Sequence, residues 1–147
     1  MDRSRWLAPG LIALAVVLAG CGTQAAGALD NPSRTVPVKG TNLSLVILTP
    51  EAATRIGLQT AAVQPPSTAS AGASAAVPLA AVLYLSDGST WVYAVTAKLT
   101  YERQRVTVAS VSGATAVLQS GPAPGTPVVV VGAAELLGSE YGVAGGQ

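Results

Sequence analysis

The sequence predicts a mainly β protein, a small antiparallel β domain carrying two short helices. Three observations predict it. From residue 77 onward, short runs rich in Val, Thr, Tyr and Trp alternate with turns built on Gly, Pro and Asp, the pattern of strands joined by hairpins. Helix punctuation is confined to two short stretches, one near residue 50 and one near residue 133. The chain of 147 residues is long enough for one domain with tails, since domains usually run to about 100–150 residues.

The first segment is a targeting signal. Arg3 and Arg5 precede an apolar run from Leu11 to Ala19, nine residues that match the core of a secretory signal peptide. A bilayer span needs roughly 20 apolar residues, and Pro9-Gly10 interrupts the helix where more length is needed. Leu18, Ala19 and Gly20 then lead into Cys21, the single cysteine, and together they resemble a bacterial lipobox. That resemblance implies cleavage after residue 20 and a diacylglyceryl thioether on Cys21, a fate that also disposes of an odd thiol in an oxidising compartment. Two acyl chains anchor durably where one is marginal. Cleavage takes Asp2, Arg3 and Arg5 and leaves six basic and six acidic residues, so the lipid carries the anchoring without a polybasic signal. The expected location is a lipid-anchored one on the extracytoplasmic, periplasmic or outer, face of a cell membrane.

Residues 21–42 show no helix or strand period and read as a lipidated tether. The domain is expected over residues 43–141, opening on a strand from Leu43 to Leu48. Thr49 then offers a side-chain cap, Pro50 suits the first helical position, Glu51 faces the positive end of the helix dipole, and Gly57 can close a helix of about two turns. Leu58 to Gln64 alternates as a strand. Residues 65–76, PPSTASAGASAA, lack large apolar side chains and read as a linker that buries no core. Val77 to Tyr84 and Thr90 to Thr96 flank an Asp87-Gly88 turn as a hairpin. Tyr101 to Val108 alternates charge as a strand with one wet face, Ser112-Gly113 turns into Ala116 to Leu118, and Gly121 to Gly125 turns into Pro127 to Val131. Gly132 to Gly138 reads as one or two helical turns, and residues 142–147 as a flexible tail.

Composition narrows the chemistry. With no His and one Cys there is no histidine base, no Cys/His or Ser/His/Asp triad and no Cys or His metal cluster. Eight basic against seven acidic residues give no footprint for nucleic acid. The acids are scattered, without the local spacing of a metal loop. A non-catalytic role without cofactor or metal is expected.

The candidate binding residues are Trp91, Tyr93, Glu102, Arg103 and Arg105. Trp91 and Tyr93 lie two apart and share a strand face, with Tyr84 on the partner strand near enough to join them; they form either a cross-strand core cluster or a docking surface. Glu102, Arg103 and Arg105 form either a solvated strand face or contacts to a partner, since Arg is favoured at interfaces.

Four segments, Leu48–Gln64, Val77–Thr96, Tyr101–Val111 and Leu118–Val143, cover 74 of the 147 residues. In that order they resemble the membrane-proximal part of the periplasmic adaptor subunits, or membrane fusion proteins, of RND-type efflux pumps. The GAAELLGSEYGV ending after PAPGTPVVVV carries most of the likeness, and adaptors are commonly lipoproteins. A full adaptor places a barrel-sandwich domain, a helical hairpin and a β-barrel where residues 65–76 stand here. The resemblance implies a reduced adaptor whose membrane-proximal domain is assembled from both chain ends and docks on an inner-membrane transporter. The alternative is an independent envelope lipoprotein that binds a small ligand or cell-envelope component.

Overall fold

The computed structural model describes residues 31–66 and 72–142. The signal segment 1–20 with Leu18, Ala19 and Gly20, the lipidation position Cys21 and the tether as far as residue 30, residues 67–71 of the linker and the tail from 143 lie outside the described residues. In chain order the elements are β1 (Ser33–Pro37), β2 (Ser44–Leu48), α1 (Pro50–Arg55), β3 (Gln59–Ala62), β4 (Ala75–Pro78), a 3-10 turn (Leu79–Ala81), β5 (Leu83–Tyr84), β6 (Thr90–Ala97), β7 (Thr100–Ser112), β8 (Thr115–Ser120), β9 (Pro127–Val131) and α2 (Ala133–Glu140). The protein is mainly β, all its strand pairings are antiparallel, and two helices accompany them.

The strands run in the order β1-β2-β7-β6-β9-β3, with β8 paired to both β7 and β4. A single bridge, Gln64 N–H to Ala76 O at 2.8 Å and Ala76 N–H to Gln64 O at 2.7 Å, joins the end of β3 to β4. That bridge completes a circuit of six strands, β7-β6-β9-β3-β4-β8, around Val63, Val77, Val92, Val106, Leu118 and Val128. Closure of this kind removes sheet edges that would otherwise be left unpaired. Because strand side chains alternate between faces, Tyr93, Tyr101 and Val129 point outward from the same strands. There they meet Ala52 of α1 and Ala133 and Leu136 of α2, a second core between the sheet and the helices.

Helix α1 forms as its punctuation requires. Ala52 N–H donates to Thr49 Oγ1 at 3.1 Å, Pro50 opens the helix, and Gly57 takes a φ of +62°. At α2, Gly132 adopts φ +94° as the N-cap, and a Cβ there would stand 3.2 Å from Ile56 Cδ1, so glycine lets the helix lie close to the segment after α1.

Four expectations are corrected. The stretch read as tether contains β1, which pairs with β2 from Ser33 opposite Leu48 to Pro37 opposite Ser44; none of its side chains is buried, so backbone pairing makes a strand that hydropathy does not mark. The stretch read as a linker that buries no core ends in two buried residues, Ala75 and Ala76, 1% and 5% exposed, and Ala75 packs into the barrel interior, where a narrow barrel needs small side chains. The single strand expected over Val77 to Tyr84 breaks after Pro78 into the 3-10 turn and the two-residue β5. The strand expected from Tyr101 to Val108 runs on to Ser112, and its tip is Gly113-Ala114.

Candidate functional site

The β6–β7 hairpin sets Tyr93 opposite Arg103 and Trp91 opposite Arg105, so these four side chains share the outer face. Glu102, one residue out of phase, lies on the other face opposite Ala94 and Leu45. Tyr84 pairs with Thr90, not with Trp91; its ring is exposed and does not join the cluster. The residues singled out in the sequence are therefore brought together except for Glu102 and Tyr84.

The last turn of α2 lies across this face and delivers Glu140 onto Arg103. Arg103 Nη2 donates to Glu140 Oε1 at 3.3 Å, and Nε stands 3.2 Å from Oε2 without hydrogen-bond alignment. Both side chains are nearly inaccessible, at 6% and 4%. Tyr93 Oη donates to Glu140 Oε2 at 2.5 Å, and Ser44 N–H reaches Oε1 at 3.4 Å. Arg103 Nη1 donates to Tyr141 Oη at 3.0 Å. The guanidinium also lies against two rings, 4.6 Å from the Trp91 centroid and 5.3 Å from that of Tyr141. Burial, followed by the hydrogen bond to Glu140, pushes the Tyr93 phenol far above its ordinary range.

A second chain of bonds fixes Trp91 from the β5–β6 turn. Trp91 Nε1 donates to Ser89 Oγ at 2.7 Å, and Ser89 Oγ and N–H both donate to Asp87 Oδ1, at 2.5 and 2.9 Å. Those hydrogen bonds from Ser89 hold the Asp87 carboxyl below its usual range. Arg105 lies at 5.9 Å from the Trp91 centroid and is exposed.

Among the described residues no group of three His, Cys, Asp or Glu side chains could hold a metal ion. Arg103 and Glu140 neutralise each other, and burial with the hydrogen bond to Glu140 keeps the proton on Tyr93. What remains at the surface is a rim of Tyr141, 61% exposed, half-buried Trp91 and exposed Arg105, with Arg103 beneath both rings. Tyr, Trp and Arg are the residues that dominate binding energy at interfaces. Arg103, a docking candidate in the sequence, is buried and serves as the brace. Sequence reasoning assigned no role to Glu140 or Tyr141, although both stand in the distinctive GSEYG ending.

Compared with protein-family models, curated proteins and solved structures, the chain finds no match.

Proposed function

We propose that this protein is a non-catalytic, membrane-anchored lipoprotein that acts as a reduced adaptor in a transmembrane efflux system. Lipid on Cys21 holds the β domain beside an inner-membrane transporter, and the domain docks through Trp91, Arg105 and Tyr141. The observation that carries this reading is how the chain closes. The segments on either side of residues 65–76 pair strand by strand, β2 with β7 and β3 with β9, into one sheet. This agrees with the two-ended assembly that the resemblance implies for a membrane-proximal domain.

The mechanism is positional. With β1 starting at Ser33, eleven residues separate it from Cys21, an r.m.s. reach of about 17–20 Å for a flexible chain. Confinement within that distance of the bilayer raises the effective concentration next to a membrane partner, so a modest interface is sufficient. The test is a mild crosslink on intact cells, detergent extraction, capture of the protein and mass spectrometry of what accompanies it. Recovery of a multi-spanning efflux transporter, lost on Arg105→Glu and on Cys21→Ser, is expected. Retention of Cys21→Ser in washed membranes, fully cleaved, overturns the anchor; capture of envelope material alone overturns the adaptor role.

A further inference from the structure

Strand β7 outruns its neighbours. Its first seven residues, Thr100 to Val106, are flanked by β6 along their whole length, but β6 begins at Thr90, opposite Val106. Beyond that point, over Thr107–Ser112, the sole strand paired with β7 among the described residues is β8. One edge of this stretch is therefore a row of backbone groups without a strand partner.

Natural sheets blunt such an edge with Lys, Pro, a bulge or a covering segment. Here the protection is slight. A bulge leaves Ala109 without a partner on β8, yet Ser110, Val111 and Ser112 continue in regular register. None of the six residues is charged or proline, and Val111 is 47% exposed. The neutrality extends well beyond the edge, with no charged residue between Arg55 and Asp87 or between Arg105 and Glu135.

We propose that this edge pairs antiparallel with the same edge of a second copy, about a two-fold axis at Ala109 or Ser110, so that two barrels share a continuous sheet. The axis falls on a residue because residues facing each other across an antiparallel pair share a face of the sheet. A two-fold contact sets a surface against itself, so any charge at its centre would meet its own like. A neutral edge avoids that repulsion. The nearest charges on β7 itself, the two Arg105 side chains, would be about 26 Å or more apart along the strand at about 3.3 Å per residue, well beyond the screening length of about 8 Å.

The groove beside the edge points to the same occupant. It measures about 420 Å³ and is lined by Tyr84, Ser89, Thr90, Arg105, Thr107 and Val108. In the two-fold register, Thr107 and Val108, the first residues beyond the end of β6, lie opposite the last residues of the partner's β7 and its hairpin tip. That tip, Ser112-Gly113-Ala114, carries only small side chains, which suit a shallow groove. The pairing does not depend on the lipid anchor. If both copies are anchored in one bilayer, their tethers leave from opposite ends of the pair and β7 lies along the membrane surface.

The test places single cysteines in a full chain that carries Cys21→Ser and so has no other thiol. Under copper-phenanthroline oxidation, Ala109→Cys or Ser110→Cys is expected to form a disulfide dimer about tenfold faster than Thr96→Cys, an exposed control at the far end of β6, a ratio equivalent to about 1.4 kcal/mol. Adding Val111→Lys, which sets a charge near its mate, is expected to return the rate to the control value while the circular dichroism spectrum and melting temperature stay unchanged. Crosslinking of both edge cysteines no faster than the control overturns the proposal. So does crosslinking unaffected by Val111→Lys in a chain that melts as before.

Discussion

Arg103 is the residue whose neighbours have most to lose. Its guanidinium and the Glu140 carboxylate are both out of water, and each compensates the charge of the other. Removing one partner of a buried pair leaves a charge uncompensated, at a cost of about 3–5 kcal/mol, whereas replacing both by apolar groups is often neutral. Glu140→Ala is therefore expected to lower the unfolding free energy by about 3–5 kcal/mol, and Arg103→Met with Glu140→Leu by much less. Urea titration of the single and double variants checks this, and a Glu140→Ala loss below about 1 kcal/mol would show the pair to be solvated. Tyr93 gives a pH signature. Its phenol titrates higher in the folded chain than its ordinary value of 10.0, so the folded state keeps a proton that the unfolded state releases. Stability is then complete below pH 10 and declines as pH rises above it, with Tyr93→Phe flattening that decline in alkaline unfolding curves. At this scale the sequence is half legible. A two-residue spacing puts Trp91 and Tyr93 on one face, but alternating charge along β7 reads as a wet surface. What turns Arg103 inward is a glutamate 37 residues downstream on a helix, for which no local pattern exists.

Elements differ in legibility according to what makes them. Helix α1 was readable because its signals are local: a capping hydroxyl, a proline at the first position and a glycine after the last turn. Its cap is also testable. Thr49→Ala removes the acceptor for Ala52 N–H and is expected to cost about 1 kcal/mol, restored to within a few tenths by Thr49→Ser in the same urea titration. The hairpin at Asp87-Gly88 was readable for the same reason, with Asp87 accepting from Ser89 to hold the turn. Strand β1 and the opening of β4, Ala75-Ala76, were not. The first owes its form to backbone pairing with β2, and the second owes its place to the small volume left inside a closed barrel. Neither cause leaves a hydrophobic period in the chain. Helix α2 lies between these cases, since its start shows in the sequence but its run past Gly138 to Glu140, and the partner of that last turn, do not.

Over the whole molecule, stability depends on two chain segments that are separate in sequence and inseparable in packing. The part before residue 67 gives Val46, Leu48 and Ala52 to the core beneath the helices and Val63 to the barrel interior. The part after residue 71 gives the rest, so neither can close a core alone. The join is also short in space, because Gln64 and Ala76 are hydrogen-bonded across it in both directions. Covalent continuity through residues 67–71 should therefore be dispensable once the protein is folded. A protease site inserted there adds little strain, since lengthening a loop costs only about 0.6 kcal/mol per doubling. After cleavage the two fragments are expected to co-elute and keep the β-type circular dichroism spectrum. Their unfolding midpoint should fall and become concentration-dependent, because dissociation now accompanies unfolding. Size-exclusion chromatography and denaturant titration at two concentrations read both effects. Fragments that separate under native conditions would mean that the strands on one side of the break carry the fold alone. Fragments that stay paired would establish this position as one where an inserted domain leaves the core intact, as the adaptor reading requires of it.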